Sequence, residues 1–435
     1  MLFDEALKYL LSLGHETLAI KLGLANTEAL LEAVGRPQDA FRKVQIAGTN
    51  GKGSTAVMLD AVLRASGIET ALFTSPHLIS ITERVRYNGQ EISEYDFARL
   101  TTRVRDAALR LRETGALPAL PTFFEHLTVM FLLGCTEART ELAVLETGLG
   151  GRLDATTAAG AEVVGITPIA IDHQEYLGDS LAEIAFEKAA IIRAGVEAVI
   201  APQANEALEV IEKRCSEAGV TPNFVGDGIE MLGASDTGNF RATFETAEDR
   251  YEDVQLGLRG RHQVVNAALA IRLSELLRAR GFSISREAIV EGIERAEHAG
   301  RLELWEGSPQ VLFDGAHNRA SAQALHDYLH EFVSAPATLI FGAMRDKELS
   351  EMAALLFPKA RRLILTEMNN PRAATIEMLE RIIPQVFSSS LITFAKSPAD
   401  ALRLAFEVTP ADGLIAVTGS LYLVGEARAL LLKRR

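Results

Sequence analysis

The chain has 435 residues, of which 48% are apolar and 23% charged, and its net charge is −14. This composition is typical of folded globular proteins, and the length predicts two domains, each with its own core. The acidic balance argues against nucleic acid as the main partner, because contacts with phosphates require a basic surface. The two cysteines fit neither a disulfide framework nor a metal site, and no apolar run approaches the roughly 18 residues of a membrane span. We therefore expect a cytoplasmic protein with no membrane association.

The first predicted elements precede a glycine-rich loop. Residues Met1–Gly14 carry apolar residues at helical spacing with charged residues among them, which predicts an amphipathic helix and argues against a signal peptide. Residues Ala25–Val34 predict a second helix, which ends at the breaker Gly35-Arg36-Pro37. A β-strand is then expected to start at Val44.

The central feature of the sequence is the segment Val44–Thr55, V-Q-I-A-G-T-N-G-K-G-S-T. An apolar run leads into a glycine-rich loop that contains Lys52, and the helix-favouring residues Ala56–Arg64 follow. Strand, loop and helix in this order form an anion cradle, because backbone amides, the helix N-terminus and the lysine all favour a phosphate. The spacing departs from G-x-x-x-x-G-K-[ST], since Gly53 follows the lysine. A solvated turn with a surface lysine is the alternative, and we predict phosphate binding.

Further strands alternate with helices, which indicates a mostly parallel sheet covered on both faces. Ser75, Glu146 and His173 come shortly after the carboxyl ends of three of these strands. In an open parallel sheet, ligands bind at this edge. The predicted strands are Thr70–Phe73, Glu141–Leu145, Val163–Ile166 and Ala198–Ile200, and the predicted helices are Glu94–Glu113, Phe123–Leu133 and Ser180–Arg193.

The rest of the chain predicts a second α/β unit after a linker. Residues Pro222–Gly260 have short alternating segments that predict a small antiparallel flap, and helix Val264–Arg280 follows. The run His298–Arg301 is interpreted as a linker, because strand–helix alternation restarts beyond it. The strands expected there are Val311–Phe313, Thr338–Phe341, Arg362–Thr366, Ser390–Phe394 and Gly413–Val417.

These elements define an α/β fold class with two domains. The first, residues 1–299, is expected to be a mostly parallel sheet domain that contains the phosphate-binding loop and the small antiparallel flap. The second, residues 300–435, is expected to be a smaller Rossmann-like α/β domain. We expect the active site between them.

A bound triphosphate requires a divalent cation, and Mg²⁺ takes oxygen ligands from few protein groups. Ser75 and Glu146 are the candidates, because both follow strands that end at the cradle. For Glu146 the alternative is a helix cap or a surface carboxylate, but the glycine-rich turn Thr147–Gly151 is typical of backbone close to a ligand. For His173, metal ligation and an ordinary loop histidine remain equal alternatives.

Other charged residues each have a structural alternative. Lys188 lies in an apolar helix, where a lysine usually extends along the surface to keep its charge in water. Arg301 is either a solvated linker charge or a group that reaches a γ-phosphate when the domains close. Asp314 either accepts hydrogen bonds from ribose or caps the following helix, and His317 is a candidate contact for a carboxylate.

A series of motifs runs in order through nearly the whole chain and resembles the folylpolyglutamate synthetases and bifunctional dihydrofolate synthases of the Mur ligase superfamily. The motifs in the first domain are A-G-T-N-G-K-G-S (Ala47–Ser54), T-S-P-H-L (Thr74–Leu78), T-F-F-E (Thr122–Glu125), E-T-G-L-G-G-R-L-D-A-T (Glu146–Thr156), D-H (Asp172-His173), F-E-K-A-A-I (Phe186–Ile191) and G-R-H-Q-x-x-N-A (Gly260–Ala267). Those in the second are G-R-L-E (Gly300–Glu303), D-G-A-H-N (Asp314–Asn318), N-P-R-A (Asn370–Ala373) and T-G-S-L-Y-L-V-G (Thr418–Gly425).

The resemblance implies a set of site residues. It implies ATP binding by Gly48, Thr49, Asn50, Gly51, Lys52, Gly53 and Ser54, completed by Asn266, Arg301 and Asp314. It implies two Mg²⁺ sites on Ser75, Glu146, His173 and a Lys188 that is carbamylated by CO₂. It implies pterin-side contacts from Thr122, Phe123, Phe124, Glu125, Leu153, Asp154 and Ala155, and contacts with the incoming glutamate from His317 and Ser420. The residues that it implies in catalysis are Lys52, Lys188, His173 and Arg301.

The activity implied by the resemblance is ATP-dependent addition of L-glutamate to the carboxylate of dihydropteroate, of reduced folates such as tetrahydrofolate, or of both, through an acyl phosphate. We expect the protein to act as a monomer. The alternatives within ligases are a folylpolyglutamate synthase alone and a Mur-type ligase that adds an amino acid to a peptidoglycan precursor. A nucleotide-dependent switch is the alternative from another class, but the sequence has no N-K-x-D guanine motif.

Overall fold

The computed structural model describes residues 1–14, 23–384 and 387–433, which form three β-sheets with helices around them. The first sheet contains β1 (Arg42–Ala47), β2 (Thr70–Phe73), β3 (Val85–Tyr87), β4 (Gln90–Glu91), β5 (Leu142–Glu146), β6 (Val163–Ile166), β7 (Glu197–Ile200) and β8 (Pro222–Phe224). The second contains β9 (Ile229–Ala234), β10 (Asn239–Glu245) and β11 (Arg250–Arg259). The third contains β12 (Glu303–Trp305), β13 (Gln310–Phe313), β14 (Ala337–Phe341), β15 (Arg362–Thr366), β16 (Ile392–Ala395) and β17 (Leu414–Thr418).

The helices fall into two groups along the chain. Those before the third sheet are α1 (Phe3–Ser12), α2 (Ala25–Ala33), α3 (Lys52–Ala65), α4 (Glu94–Glu113), α5 (Phe123–Glu137), α6 (Gln174–Leu177), α7 (Leu181–Ala189), α8 (Asn205–Ala218), α9 (His262–Ala279) and α10 (Arg286–Arg295). Those within the third-sheet region are α11 (Arg319–Phe332), α12 (Leu349–Leu356), α13 (Ile376–Arg381), α14 (Pro398–Val408) and α15 (Leu421–Leu432). Short 3-10 helices lie at Pro37–Ala40, Ile81–Arg84, Ala155–Ala159, Phe357–Lys359 and Ser389–Leu391.

The first sheet has the strand order β4-β3-β2-β5-β1-β6-β7-β8, and all of its pairings are parallel except those of β3 and β4. Its central strands are buried on both faces, which explains their nearly continuous apolar sequence. In β5, Leu142 and Val144 pack into the core formed with α3, α9 and α10, whereas Ala143 and Leu145 pack into the core formed with α4 and α5. The predicted mostly parallel, doubly covered sheet is confirmed.

A turn at Asn88-Gly89 closes a hairpin between β3 and β4, and the two residues have positive φ angles of 49° and 77°. These two strands were not predicted, because they are short and mostly polar. They continue one edge of the first sheet in the antiparallel direction.

The small antiparallel sheet is also confirmed, with the order β11-β10-β9. It packs through Phe240, Phe244 and Tyr251 into the same core as α3 and α9. Only the start of the predicted segment differs, because Pro222–Phe224 pairs in parallel with β7 of the first sheet.

The third sheet has the order β12-β13-β17-β14-β15-β16, in which only β12 pairs antiparallel. Its parallel strands and flanking helices confirm the second α/β unit. The predicted boundary between residues 299 and 300 falls between α10 and β12. In the described ranges, none of the helices has both the length and the apolar composition needed to cross a membrane.

Two helix boundaries differ from the prediction in ways that affect the site. Helix α3 begins at Lys52 instead of Ala56, because Gly51 takes a positive φ of 94° and directs the chain straight into the first turn. Helix α7 ends at Ala189, earlier than the predicted Arg193. Because α3 starts at Lys52, this lysine and the residues that follow it form the N-terminal turn of α3.

Candidate active site

One cavity of about 500 Å³ lies between the first and third sheets. Each residue predicted for the site lines this cavity except Gly48. The residues come from strand ends and helix starts that are far apart in the sequence. The carboxyl edges of two separate parallel sheets therefore meet at one place, as the strand-end rule predicts.

The backbone of the phosphate loop, Gly48–Ser54, has no space for a side chain at two of its glycines. A Cβ at Gly48 would lie 1.9 Å from Oγ1 of Thr167, and a Cβ at Gly51 would lie 2.3 Å from Oδ1 of Asn266. Both glycines also have positive φ angles, 140° and 94°, which side chains strongly disfavour. The two positions therefore require glycine for space as well as for backbone conformation.

Two lysines converge on this loop. Nζ of Lys52 donates a hydrogen bond to the carbonyl of Thr49 at 3.0 Å, and Nζ of Lys188 donates to the carbonyl of Gly48 at 2.8 Å. Desolvation lowers the pKa of Lys52, although the nearby Glu146 opposes this shift. Desolvation and the charge of Lys52 lower the pKa of Lys188 to about 7. Lys188 is only 4% exposed, so the interpretation as a lysine that extends along the surface is wrong.

Glu146 lies at the end of β5 and faces the first turn of α3. Its Oε2 accepts a hydrogen bond from the amide of Ser75 at 3.0 Å, and both carboxylate oxygens lie 3.4 Å from the Cβ position of Gly53. Desolvation raises the pKa of Glu146, and the charge of Lys52 acts in the opposite direction. Because Glu146 is only 5% exposed and begins no helix, both structural alternatives for it are wrong.

The side chains at the predicted magnesium sites differ in how well they suit the ion. In the residues that the structure describes, no group of three or more His, Cys, Asp or Glu side chains is arranged to hold a metal. Mg²⁺ bound with a nucleotide usually takes only one or two protein carboxylates, together with phosphates and water. Glu146, whose carboxylate accepts from the amide of Ser75, fits that requirement. At the second predicted site, a histidine and an unmodified lysine do not, because an ammonium group has no lone pair to offer.

His173 is the N-cap residue of the short helix α6, has a positive φ of 53°, and lines the cavity next to Asp172. Desolvation lowers the pKa of His173 to about 3. Asp172 is ion-paired with Lys347 at 2.5 Å and lies 3.6 Å from Nε2 of His317. Burial opposes ionisation of Asp172, but its histidine and lysine neighbours outweigh that effect and hold its pKa well below the ordinary range.

The predicted nucleotide residues beyond the phosphate loop lie on both sides of the linker. Nδ2 of Asn266 in α9 donates to Gln263 at 2.8 Å, and the side chain of Arg301 reaches the cavity wall. Asp314 follows β13 and accepts hydrogen bonds from the amides of Leu302 at 2.9 Å and Ala316 at 3.0 Å. Asp314 does not cap the next helix, because Asn318 occupies the N-cap position of α11.

The predicted pterin side of the cavity has an aromatic wall. Phe123 and Phe124 begin α5, which Thr122 and Glu125 cap through a reciprocal pair of hydrogen bonds. A Cβ at Gly148 would lie 2.5 Å from the ring of Phe124, so the glycine allows the ring to approach the turn after β5. This wall is suited to a flat, partly apolar ligand.

The loop beside this wall holds Asp154 with Leu153 and Ala155 on either side, and all three line the cavity. The Asp154 carboxylate accepts from the amides of Leu149 at 2.9 Å and Thr156 at 3.0 Å. Both of its oxygens are therefore used to hold its own loop. In the third-sheet region, Ser420 is the N-cap of α15 and His317 donates from Nδ1 to the carbonyl of Gly315 at 2.8 Å.

Sequence reasoning missed several cavity residues, and Lys347 and Tyr176 are the clearest cases. Lys347 follows β14 in an irregular segment without a glycine motif, so its sequence gave no indication of a site. Asp172 and Arg372 lie within motifs that were recognised, but neither was assigned a role. Only the packing of the two sheets brings Lys347 to Asp172.

The fold and the site together define the Mur ligase class. Residues 46–274 match the Mur ligase middle domain, and residues 300–421 match the Mur ligase glutamate ligase domain. Within that class, the chain belongs to the dihydrofolate synthase/folylpolyglutamate synthase family. It is 31% identical over 423 residues to the Bacillus subtilis dihydrofolate synthase/folylpolyglutamate synthase, which covers 95% of this chain and 96% of the relative.

Two further comparisons agree with this assignment. The chain is 33% identical over 430 residues to a probable bifunctional folylpolyglutamate synthase/dihydropteroate synthase of Halobacterium salinarum, covering 98% of this chain. It spans only 51% of that longer relative. A solved Mycobacterium tuberculosis folylpolyglutamate synthase complexed with ADP superposes with a TM-score of 0.91 at 29% identity, covering 98% of each chain. The predicted family and fold class are therefore confirmed.

Proposed function

We propose that this chain is an ATP-dependent ligase that joins the amino group of L-glutamate to the carboxylate of dihydropteroate, of a reduced folate, or of both. The observation that carries the proposal is the meeting of three kinds of group at one cavity. The phosphate loop with Glu146, the aromatic wall of Phe123 and Phe124, and His317 of the third-sheet region all line this cavity. Relatives named for these activities support the same conclusion.

In the first step, a carboxylate oxygen of the pteroate or folate attacks the γ-phosphorus of ATP. The bond to the β,γ-bridging oxygen breaks, ADP leaves, and an acyl phosphate remains. Lys52 and Arg301 offset negative charge on the transferred phosphoryl group, and the amides at the N-terminus of α3 hold the phosphates. The protein contributes mainly position and charge in this step.

In the second step, the glutamate nitrogen attacks the acyl carbon, the tetrahedral intermediate expels phosphate, and the nitrogen loses its proton as the amide forms. His317 and Ser420 are proposed to hold the incoming glutamate on the far side of the cavity. The enclosure between the two sheets keeps water from the acyl phosphate, which would otherwise hydrolyse.

A magnesium ion would be held by Glu146 and Ser75 together with the nucleotide, and when bound it supplies positive charge to the phosphates. For the second metal position we propose that Lys188 is carbamylated. The neutral Nζ of Lys188 attacks CO₂, an N–C bond forms, and a proton leaves to water. The reaction converts a buried cation into a carboxylate-like oxygen donor beside His173. The second metal position then has an oxygen ligand, which the unmodified lysine cannot provide.

We also propose that residues 1–299 and 300–435 act as two domains that close on the substrates. The ATP-binding, metal-binding and substrate-binding roles predicted from the sequence belong to this proposal, as do a monomeric state and a cytoplasmic location. The position of Arg301 between the two units supports a role in closure, because the linker places its side chain at the cavity.

The test is ADP release by the purified protein with ATP, Mg²⁺, L-glutamate and one acceptor at a time. We expect turnover with dihydropteroate, tetrahydrofolate, or both, and none without glutamate. Rescue of a strain that lacks dihydrofolate synthase would assign the first activity. Turnover with tetrahydrofolate alone would leave a folylpolyglutamate synthase. Turnover only with a peptidoglycan precursor, or turnover indifferent to any amino acid, would refute the proposal.

A further inference from the structure

A pair of side-chain amides joins the phosphate loop to the third-sheet region. Nδ2 of Asn50 donates to Oδ1 of Asn318 at 3.3 Å, and Nδ2 of Asn318 donates to Oδ1 of Asn50 at 3.1 Å. Asn50 lies between two constrained glycines of the loop, whereas Asn318 is the N-cap of α11. The pair therefore joins the first-sheet region to the third-sheet region through two residues that are 268 positions apart in the sequence.

The other contacts of Asn318 fix the orientation of its amide. Its Nδ2 also donates to Oδ2 of Asp172 at 2.9 Å, and its Oδ1 accepts from the amide of Ser321 at 2.9 Å. A carboxylate only accepts and a backbone N–H only donates, so the two ends of the amide cannot be exchanged. Asn318 is 3% exposed, and Lys347 pairs with Asp172 behind it. The amide is thus held in one orientation by Ser321 of its own region and by Asp172 of the first-sheet region.

The phosphate loop is contacted by residues of both the first-sheet region and the third-sheet region. Thr167 limits the space at Gly48 and Asn266 limits it at Gly51, and both of these residues belong to the first-sheet region. Asn318 provides the contact from the third-sheet region. The amides of Thr49 and Asn50 donate to the carbonyl of Pro168, so the third-sheet region holds the Asn50 side chain and the first-sheet region holds the loop backbone.

We propose that the Asn50–Asn318 pair is an interdomain clasp that positions the phosphate loop when the two domains close. The inference rests on the proposed ligase function and adds to it a coupling between the glutamate site and the nucleotide site. Asn318 directly follows His317, the residue proposed to hold glutamate. The segment His317-Asn318 therefore contacts both the proposed glutamate site and the phosphate loop. Glutamate binding and nucleotide binding are therefore expected to strengthen each other.

The test is a double-mutant cycle with Asn50→Ala and Asn318→Ser. Serine caps a helix about as well as asparagine, so Asn318→Ser keeps an acceptor for the amide of Ser321 but is too short to reach Asn50. We measure the affinity for ADP by calorimetry, with and without L-glutamate, and the KM for ATP and kcat by ADP release. Each single variant is expected to weaken ADP binding and raise the KM for ATP about tenfold, with a smaller change in kcat, and to remove the effect of glutamate on ADP affinity. The double variant is expected to be no worse than the more impaired of the two single variants.

The matched control is Ser397→Ala, which removes the N-cap of α14 in the same region but away from the cavity. It is expected to lower the melting temperature and to leave the KM for ATP and the ADP affinity unchanged. The clasp is refuted if the two single effects multiply in the double variant, or if neither variant changes ADP affinity. Because calorimetry needs no turnover, it tests the clasp even if the unaltered protein releases no ADP, a result that would overturn only the ligase function.

Discussion

Replacing Glu146 with glutamine is expected to change turnover and the free energy of unfolding differently, so the two effects can be measured separately. Glutamine has nearly the same shape, and its Oε1 still accepts the hydrogen bond from Ser75 that Glu146 accepts at 3.0 Å. Desolvation raises the pKa of Glu146 despite the attraction of Lys52, so the folded chain disfavours the ionised carboxylate. A neutral amide removes that unfavourable charge. Without magnesium and nucleotide, we therefore expect the free energy of unfolding to stay the same or to rise.

Turnover is expected to change in the opposite direction. The carboxylate faces the first turn of α3, with both oxygens 3.4 Å from the Cβ position of Gly53. Loss of a charge directed at the reacting phosphates typically costs about 100-fold or more in kcat, which is about 2.7 kcal/mol of barrier. Glu146→Gln should therefore release ADP at least about 100-fold more slowly than the unaltered protein.

The assays are coupled ADP release across a magnesium titration and thermal unfolding by circular dichroism. Glu141→Gln is the control, because Glu141 lies just before the opposite end of β5 and is exposed. Its turnover and magnesium dependence are expected to be unchanged. Unchanged turnover in Glu146→Gln would remove Glu146 from the metal site. A large fall in stability would show that the charge supports the fold, contrary to the pKa argument.

Three further changes are informative. Lys188→Ala is expected to lose turnover and to regain part of it with a small added carboxylate such as acetate, because the carboxylate replaces the proposed carbamate. His126→Gln is expected to reduce the acid sensitivity of the fold. Desolvation lowers the pKa of His126 to about 3. Between pH 6.5 and 3, this histidine is therefore protonated in the unfolded chain and neutral in the folded chain. As the pH falls through this range, the free energy of unfolding decreases by about 1.4 kcal/mol per pH unit. Gly425→Ala is expected to impair closure, measured by small-angle scattering and ADP release, because its Cβ would lie 1.9 Å from the carbonyl of Leu78.

Each of these changes has a control. Lys188→Arg keeps the cation but fills the space, so acetate should not rescue it, and full activity in Lys188→Ala would exclude the carbamate. Met130→Leu lies on the same helix as His126 and should shift stability equally at every pH. An unchanged acid limb in His126→Gln would refute the assignment. Leu432→Ala is an exposed change on the same helix as Gly425 and should leave scattering and turnover unaltered.

Local sequence patterns were sufficient for the phosphate loop and for the strands near it. Glycines that need positive φ, an apolar strand before them and a helix after them are determined by short-range sterics and hydrogen bonding. Thr70–Phe73, Val163–Ile166 and Glu94–Glu113 were predicted with the bounds that the structure has. The strand-end rule then placed Ser75 and Glu146 together without any knowledge of side-chain contacts.

The sequence by itself determined the fold class, the family and the edge of the sheet where the site lies. Only the tertiary structure decided the environment of the charged side chains. A lysine in an apolar helix has the same local sequence whether it reaches solvent or, like Lys188, donates to Gly48 in the interior. Likewise, nothing near Lys347 in the sequence indicates Asp172, because 175 residues separate them. Burial and pairing depend on which elements pack together, and that is a property of the whole chain.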